Sequence, residues 1–71
     1  MNDRPSLNDV VALLANMPTA KLLRGQVGTV VETLPAGRLL VEFADDAGRA
    51  YAISPIESAQ LLVLHYEREG A

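Results

Sequence analysis

Two glycines three residues apart, Gly25 and Gly28, constrain the fold of this chain more than any other feature of its sequence. Glycine lets the backbone bend sharply and lets a neighbouring strand approach closely. The next residues, Thr29-Val30-Val31, are β-branched, which is typical of a pleated and half-buried strand. The segment therefore predicts a strongly curved strand that opens a small β-barrel.

The length and composition predict one small domain with an aliphatic core. A chain of 71 residues buries only about 60–65% of the surface that its unfolded form exposes. The absence of cysteine excludes disulfides and thiolate zinc sites, and one histidine cannot build a histidine-rich metal site. Because 49% of the residues are hydrophobic and only 4% aromatic, we expect aliphatic packing and self-association to stabilise the domain, with no metal and no cofactor.

The charge argues against nucleic acid as a partner. The net charge is −3, and Lys and Arg supply most of the affinity for a phosphate backbone. The six basic residues are scattered, so we expect no RNA binding at physiological salt. The first residues lack the apolar core of a signal peptide, and no apolar run approaches the roughly 20 residues of a membrane span. These patterns predict a soluble, cytoplasmic protein.

The first apolar segment has two interpretations. Residues 1–6 predict a flexible N-terminal arm, and the segment Val10–Ala15 follows it. Helical spacing of apolar residues and a Ser6/Asp9 pair that resembles a capping box favour a helix. The β-branched doublet and the terminating Asn16-Met17-Pro18 also fit a strand.

The next segments predict a β-hairpin. A strand over residues 27–34 meets the loop Pro35-Ala36-Gly37, in which Gly37 takes the left-handed position. Pairing Leu34 with Arg38 sets Val31 opposite Val41 and Thr29 opposite Phe43. This register predicts one core face and sends Glu32 and Glu42 to the solvent. The predicted core residues of this hairpin are Val27, Val31, Leu39, Val41 and Phe43.

A second hairpin and a short helical turn complete the pattern. Asp45 paired with Arg49 across a turn containing Gly48 sets Phe43 opposite Tyr51 and Val41 opposite Ile53. The run Ser54-Pro55-Ile56-Glu57 resembles a capping box and predicts a single helical turn. A last strand over residues 60–66 and a frayed tail over 67–71 follow. The order predicts an all-β protein, a five-stranded SH3-like barrel over residues 7–66, with one short 3-10 turn before the last strand.

The chain resembles the small bacterial family catalogued as domain of unknown function 4926. The likeness rests on Asp9–Leu13, on Met17-Pro18 and above all on the run Arg24–Glu32, and it extends over about residues 7 to 65. The chain departs from the family pattern at Asn16 and Met17. The resemblance implies that the first apolar segment is a strand. It implies no activity, because the family has no assigned function.

A shorter likeness involves only the run Arg24–Val31. That run is similar to the SH3-like part of the nitrile hydratase β subunit and, more loosely, to KOW segments, which bind RNA. By this likeness Arg24 is a candidate contact for an anion. The glycines do not form a phosphate-binding loop, since such loops lead into a helix N-terminus, whereas this run leads into a strand.

The polar residues offer weak candidates for chemistry. Glu32 and Glu42 lie diagonally across the first hairpin, but a solvated face cannot separate two carboxylate pKa values as acid–base catalysis requires. The pair Asp45-Asp46 lacks the alternating ligands of a calcium loop and is explained by turn chemistry. His65 has no second histidine or cysteine with which to bind a metal. We therefore expect no catalytic residues.

Apolar doublets are the more informative signal, because they place aliphatic side chains on both faces of a strand. A barrel this small has no second core, so the outer side chains indicate an interaction surface. The predicted interface residues are Leu40, Leu62 and Leu64. The doublets are Val10-Val11, Leu13-Leu14, Leu22-Leu23, Leu39-Leu40, Leu61-Leu62 and Val63-Leu64.

Three functional hypotheses follow from the sequence. The first is a non-enzymatic protein-interaction module that forms a homodimer or docks on another protein through an aliphatic face. The second is an acidic antitoxin or immunity-type protein that neutralises a basic toxin by electrostatic complementarity. The third is an accessory subunit of a metalloenzyme, suggested by the likeness to the nitrile hydratase β subunit.

Overall fold

The computed structural model describes residues 4–65, which form one antiparallel sheet with the strand order β4-β3-β2-β1-β5. This confirms the all-β class and the five strands. The strands are β1 (Val10–Leu13), β2 (Val27–Leu34), β3 (Arg38–Ala44), β4 (Ala50–Glu57) and β5 (Leu61–Val63). Three 3-10 turns connect them, at Pro18–Ala20, Pro35–Gly37 and Ser58–Gln60, and the last of these confirms the turn predicted before the final strand.

The core lies on one face of the sheet, which curls around it. Ile56 of β4 and Leu61 of β5 belong to the same buried cluster, although their strands are at opposite edges of the sheet. No backbone ladder joins β4 to β5 in the described part of the chain, so the barrel is not closed by hydrogen bonds. The cluster comprises Val11, Leu13, Leu22, Val30, Leu39, Val41, Phe43, Ile56 and Leu61.

The first apolar segment is a strand, as the family resemblance implied and the helical spacing did not. The Ser6/Asp9 pair closes a turn ahead of β1: an Asp9 carboxylate oxygen accepts hydrogen bonds from the Ser6 N–H at 2.8 Å and the Ser6 hydroxyl at 3.1 Å. Asn8 has a φ of 73° in this turn. The same residues that resemble a helix cap therefore direct the chain into a strand, because Asn8 leaves the helical region.

The β2–β3 hairpin has the predicted ends and a different register in the middle. Leu34 pairs with Arg38 as expected, but Val30, and not Val31, pairs with Val41. Val31 is a β-bulge, an extra residue on one strand. Compared with the predicted register, the residues of β2 that precede the bulge point to the opposite face of the sheet. The predicted core was therefore wrong at two positions, since Val31 is 40% and Val27 46% exposed, while Val30 is fully buried.

A second bulge shifts the β3–β4 hairpin. The Asp45 N–H donates to the Arg49 carbonyl at 2.9 Å, and the predicted turn is present. Ala44 then pairs with Ala50 and Phe43 with Ala52, which leaves Tyr51 as the extra residue. The prediction that Tyr51 and Ile53 continue the core face was wrong. Their side chains are 50% and 56% exposed.

The helical turn predicted over residues 54–57 begins four residues later, at Ser58. Ser54 to Glu57 complete β4 because Ile56 is buried opposite Leu39 of β3. Pro55 is tolerated there since β4 is an edge strand, where a missing backbone N–H removes no ladder hydrogen bond on the free side. Tertiary burial of Ile56 thus overrides the local capping pattern.

Candidate functional site

An apolar row crosses three strands on the outer face of the sheet. Ala12 of β1 pairs with Val27 of β2 on one side and with Leu62 of β5 on the other. Val27 and Leu62 are 46% and 51% exposed. Because directly paired residues point to the same face of a sheet, the three side chains form one continuous row.

A second apolar row lies beside the first. The Leu64 N–H donates to the Val10 carbonyl at 2.9 Å, which places Leu64 opposite Val10 and two residues along β5 from Leu62, on the same face. Both side chains are half-buried. The two rows together are called here the apolar surface, which comprises Val10, Ala12, Val27, Leu62 and Leu64. It contains no charged side chain.

Two of the three predicted interface residues are brought together in this surface and one is not. Leu62 and Leu64 belong to it, whereas Leu40 lies on β3 between Glu32 and Pro55 and is half-buried. Sequence reasoning missed Val10, Ala12 and Val27. The signal that could have found them is the pairing of β1 with β2 and β5, which joins segments far apart in the chain.

Among the described residues, the apolar surface reaches an unpaired edge of the sheet. Within residues 4–65, β5 pairs only with β1. The hydrogen bonds of that pair use Gln60, whose carbonyl accepts from Leu14 N–H at 2.9 Å, and Leu64. Since alternate residues of an antiparallel strand bond to opposite sides, the N–H and C=O of Val63 point away from β1, toward the open edge.

The structure places the polar candidates on the first hairpin and in the turn after β3. Glu32 and Glu42 both lie on the outer face of the β2–β3 hairpin. Asp45 is used by its turn, where its Oδ1 accepts from the N–H groups of Ala47 at 2.9 Å and Arg49 at 3.0 Å. Among residues 4–65, no three histidine or carboxylate side chains gather as metal ligands.

A cleft of about 410 Å³ lies between the loop after β1 and the end of β4. Its lining mixes apolar and polar side chains, including Met17, Pro55, Asn16, Glu57 and Gln60. Glu57 is the one carboxylate among the described lining residues. The described lining therefore offers no pair of carboxylates for acid–base chemistry.

The comparison with protein families gives one match. The family model described as Domain of unknown function (DUF4926) matches residues 7–63, which include all five strands. The chain belongs to this family. No curated protein and no solved structure matches the chain, so the likeness to the nitrile hydratase β subunit stays a prediction. The described part of this DUF4926 chain contains no helix long and apolar enough to cross a membrane.

The run that carries the family resemblance fixes the geometry of this DUF4926 domain. Gly28 is buried opposite Phe43, and a Cβ atom built on it would lie 2.8 Å from the Glu42 carbonyl oxygen and 2.7 Å from a Val41 methyl carbon. Any side chain at this position would therefore separate β2 from β3. Gly25, Gly37 and Gly48, the other predicted fold-determining glycines, have positive φ angles of 91°, 73° and 81°.

Gln26 of the same run ties the long β1–β2 loop to β4. Its amide nitrogen donates to the Tyr51 hydroxyl at 2.9 Å, and its amide oxygen accepts from the Leu23 N–H. The Arg24 N–H donates to the Asn16 side chain at 2.8 Å. The Arg24 guanidinium makes no hydrogen bond or ion pair within residues 4–65, so its role as an anion contact stays a prediction.

Proposed function

We propose that this DUF4926 chain is a non-enzymatic protein-interaction module that self-associates through the apolar surface and the free edge of β5. The observation that carries the proposal is the register of Val27, Ala12 and Leu62, which makes one uncharged row out of three strands. Exposed leucines scattered singly need no explanation. A contiguous apolar patch that ends at an unpaired strand edge is a favourable docking surface.

A second copy of the chain fits the pattern of free backbone groups. Two β5 strands that pair antiparallel about a two-fold axis at Val63 would exchange the N–H and C=O of that residue reciprocally. The same register sets Leu62 of each copy opposite Leu64 of the other. The apolar rows would then continue across the axis, and the interface would be isologous, as in most homodimers.

The proposed association is tested by the mass of the protein in solution. We expect a dimer in sedimentation equilibrium, and we expect Leu62→Glu to shift it to monomer, because two carboxylates would be buried in an apolar contact. Ile53→Glu is the matched control. Ile53 is exposed to a similar extent, 56% against 51%, but lies on β4 at the other edge of the sheet.

The contradicting results are equally definite. A wild-type monomer at concentrations up to the millimolar range overturns self-association. A dimer that survives Leu62→Glu, or that Ile53→Glu dissociates equally well, removes the apolar surface as its site. Far-UV circular dichroism of both variants must match the wild type, since both positions are on the outer face.

The alternative roles have less support. The acidic antitoxin or immunity role is favoured only by the net charge of −3, and the metalloenzyme accessory role only by the run Arg24–Val31. Neither draws on a contact among the described residues. The homodimeric module is therefore the function that the geometry supports best.

A further inference from the structure

The outer face of β3 and β4 carries a second group of aliphatic side chains, away from the apolar surface. On β3, Leu39 and Val41 are buried, so Leu40 between them points to the outer face. The ladder pairs Leu40 with Glu32 of β2 and with Pro55 of β4. Because directly paired residues point to the same face of a sheet, these three side chains form a row across the strands.

A neighbouring row continues this group. Glu42, two residues along β3 from Leu40, pairs with Thr29 of β2 and with Ile53 of β4. Ile53 is 56% exposed and Glu42 is half-buried. Thr29 pairs with Val10 on its other side, so it lies between this group and the apolar surface. The group is called here the acidic–apolar surface, which comprises Glu32, Leu40, Glu42, Ile53 and Pro55.

The two carboxylates of this surface are not neutralised by the described residues. Glu32 and Glu42 occupy diagonal positions of the β2–β3 ladder, where long side chains on one face can reach each other. Within residues 4–65, the one ion pair joins Arg49 to Asp45 at 3.8 Å, and neither glutamate takes part in a hydrogen bond or ion pair there. A single cation placed between the two glutamates would be attracted by both.

We propose that the acidic–apolar surface binds a basic amphipathic segment of another protein, in which lysine or arginine accompanies apolar side chains. A cation of the segment would lie between Glu32 and Glu42, and its apolar side chains would pack on Leu40, Ile53 and Pro55. Exposed aliphatic side chains on one face favour an apolar partner, and carboxylates without a counter-charge favour a partner of opposite charge. This proposal is independent of self-association, which uses the other half of the sheet.

The charged part of the surface is tested with a short capped peptide in which lysine alternates with valine, titrated into the ¹⁵N-labelled full chain. We expect saturable amide shifts at Leu40, Glu42 and Ile53. Glu32→Gln and Glu42→Gln should each weaken binding about fivefold, which corresponds to about 1 kcal/mol and to the loss of one surface ion pair. Asp46→Asn is the matched control, because that exposed carboxylate lies in the β3–β4 turn, outside the surface.

The apolar part of the surface is tested by a second pair of variants. Ile53→Ser should weaken binding of the same peptide about fivefold, because part of the aliphatic contact is lost. Leu23→Ser should leave the affinity unchanged, since Leu23 is 63% exposed but lies in the β1–β2 loop. A peptide in which lysine alternates with serine should bind more weakly than the lysine–valine peptide.

Four results would overturn the proposal. The first is the absence of saturable shifts, and the second is a lysine–serine peptide that binds equally well. The third is equal weakening by Asp46→Asn, which would mean general charge attraction and not a site. The fourth is a set of shifts confined to Ala12 and Leu62, which would place the peptide on the apolar surface. If Glu42→Gln disturbs the sheet, as its spectrum would reveal, the exposed Glu32 decides the outcome.

Discussion

Gly28→Ala is expected to destabilise the domain by about 3 kcal/mol, at the upper end of the cost of overpacking a core. The added methyl group would lie 2.8 Å from the backbone oxygen of Glu42. Backbone atoms of a paired strand cannot move aside as the end of a side chain can. The midpoint of thermal unfolding should fall by more than about 10 °C, since 1 kcal/mol shifts a domain of this size by roughly 4–8 °C.

Gly25→Ala is the matched comparison for this result. No atom lies within 4 Å of the position of its Cβ, so the cost comes only from the left-handed backbone at a φ of 91°, about 1–2 kcal/mol. The unfolding of both variants is measured at the same protein concentration, so that any association affects the two measurements equally. A Gly28→Ala domain as stable as the Gly25→Ala domain would contradict the close approach of β2 and β3.

Local chemistry made the ends of the hairpins predictable from the sequence. Gly37 takes a positive φ in the loop Pro35-Ala36-Gly37, as predicted, and the Asp45–Arg49 turn has the aspartate and glycine that its backbone geometry requires. Ala36 also takes a left-handed φ of 64°, which its residue type does not favour. The boundaries of β2 follow from its β-branched run between a glycine-rich segment and a proline. These features depend on neighbours in sequence, which is why a single chain reveals them.

The interior of the hairpins was not predictable because of two bulges. A bulge adds one residue to one strand and reverses the facing of everything on its far side. Val30-Val31 is a β-branched doublet in which either residue could occupy the core, and Tyr51 is as suitable for burial as Ala52 by composition. The choice depends on how β3 pairs with β2 and β4, which no local pattern encodes.

The candidate site was partly predictable for the same reason. The doublets Leu61-Leu62 and Val63-Leu64 indicated outward-facing leucines on the last strand. The other residues of the surface depend on how β1 pairs with β2 and with β5. These pairings join segments that are far apart in the sequence, as Ala12 is from Val27 and from Leu62. Leu40 belongs to an equivalent doublet, but β3 sets it beside Glu32 and Pro55.

The bulge at Val31 predicts opposite outcomes for two adjacent substitutions. Val30→Asp is expected to unfold the domain, because it would bury an ionised carboxylate where the native side chain has no exposed surface. The penalty of several kcal/mol compares with a total stability of about 4–11 kcal/mol for 71 residues. Val31→Asp should cost about 1 kcal/mol or less, as is usual away from the core, because that side chain is 40% exposed.

The folded state of the Val30→Asp and Val31→Asp variants is compared by circular dichroism and by amide chemical-shift dispersion, at the same pH and protein concentration. A folded Val31→Asp domain beside an unfolded Val30→Asp chain supports the bulge. The regular hairpin register, with Val31 opposite Val41, gives the reverse ranking, because Val31 and not Val30 would then face Phe43. A folded Val30→Asp domain with an unfolded Val31→Asp chain would therefore overturn the register of β2 and β3. It would also turn Val27 to the core face and so remove it from the apolar surface.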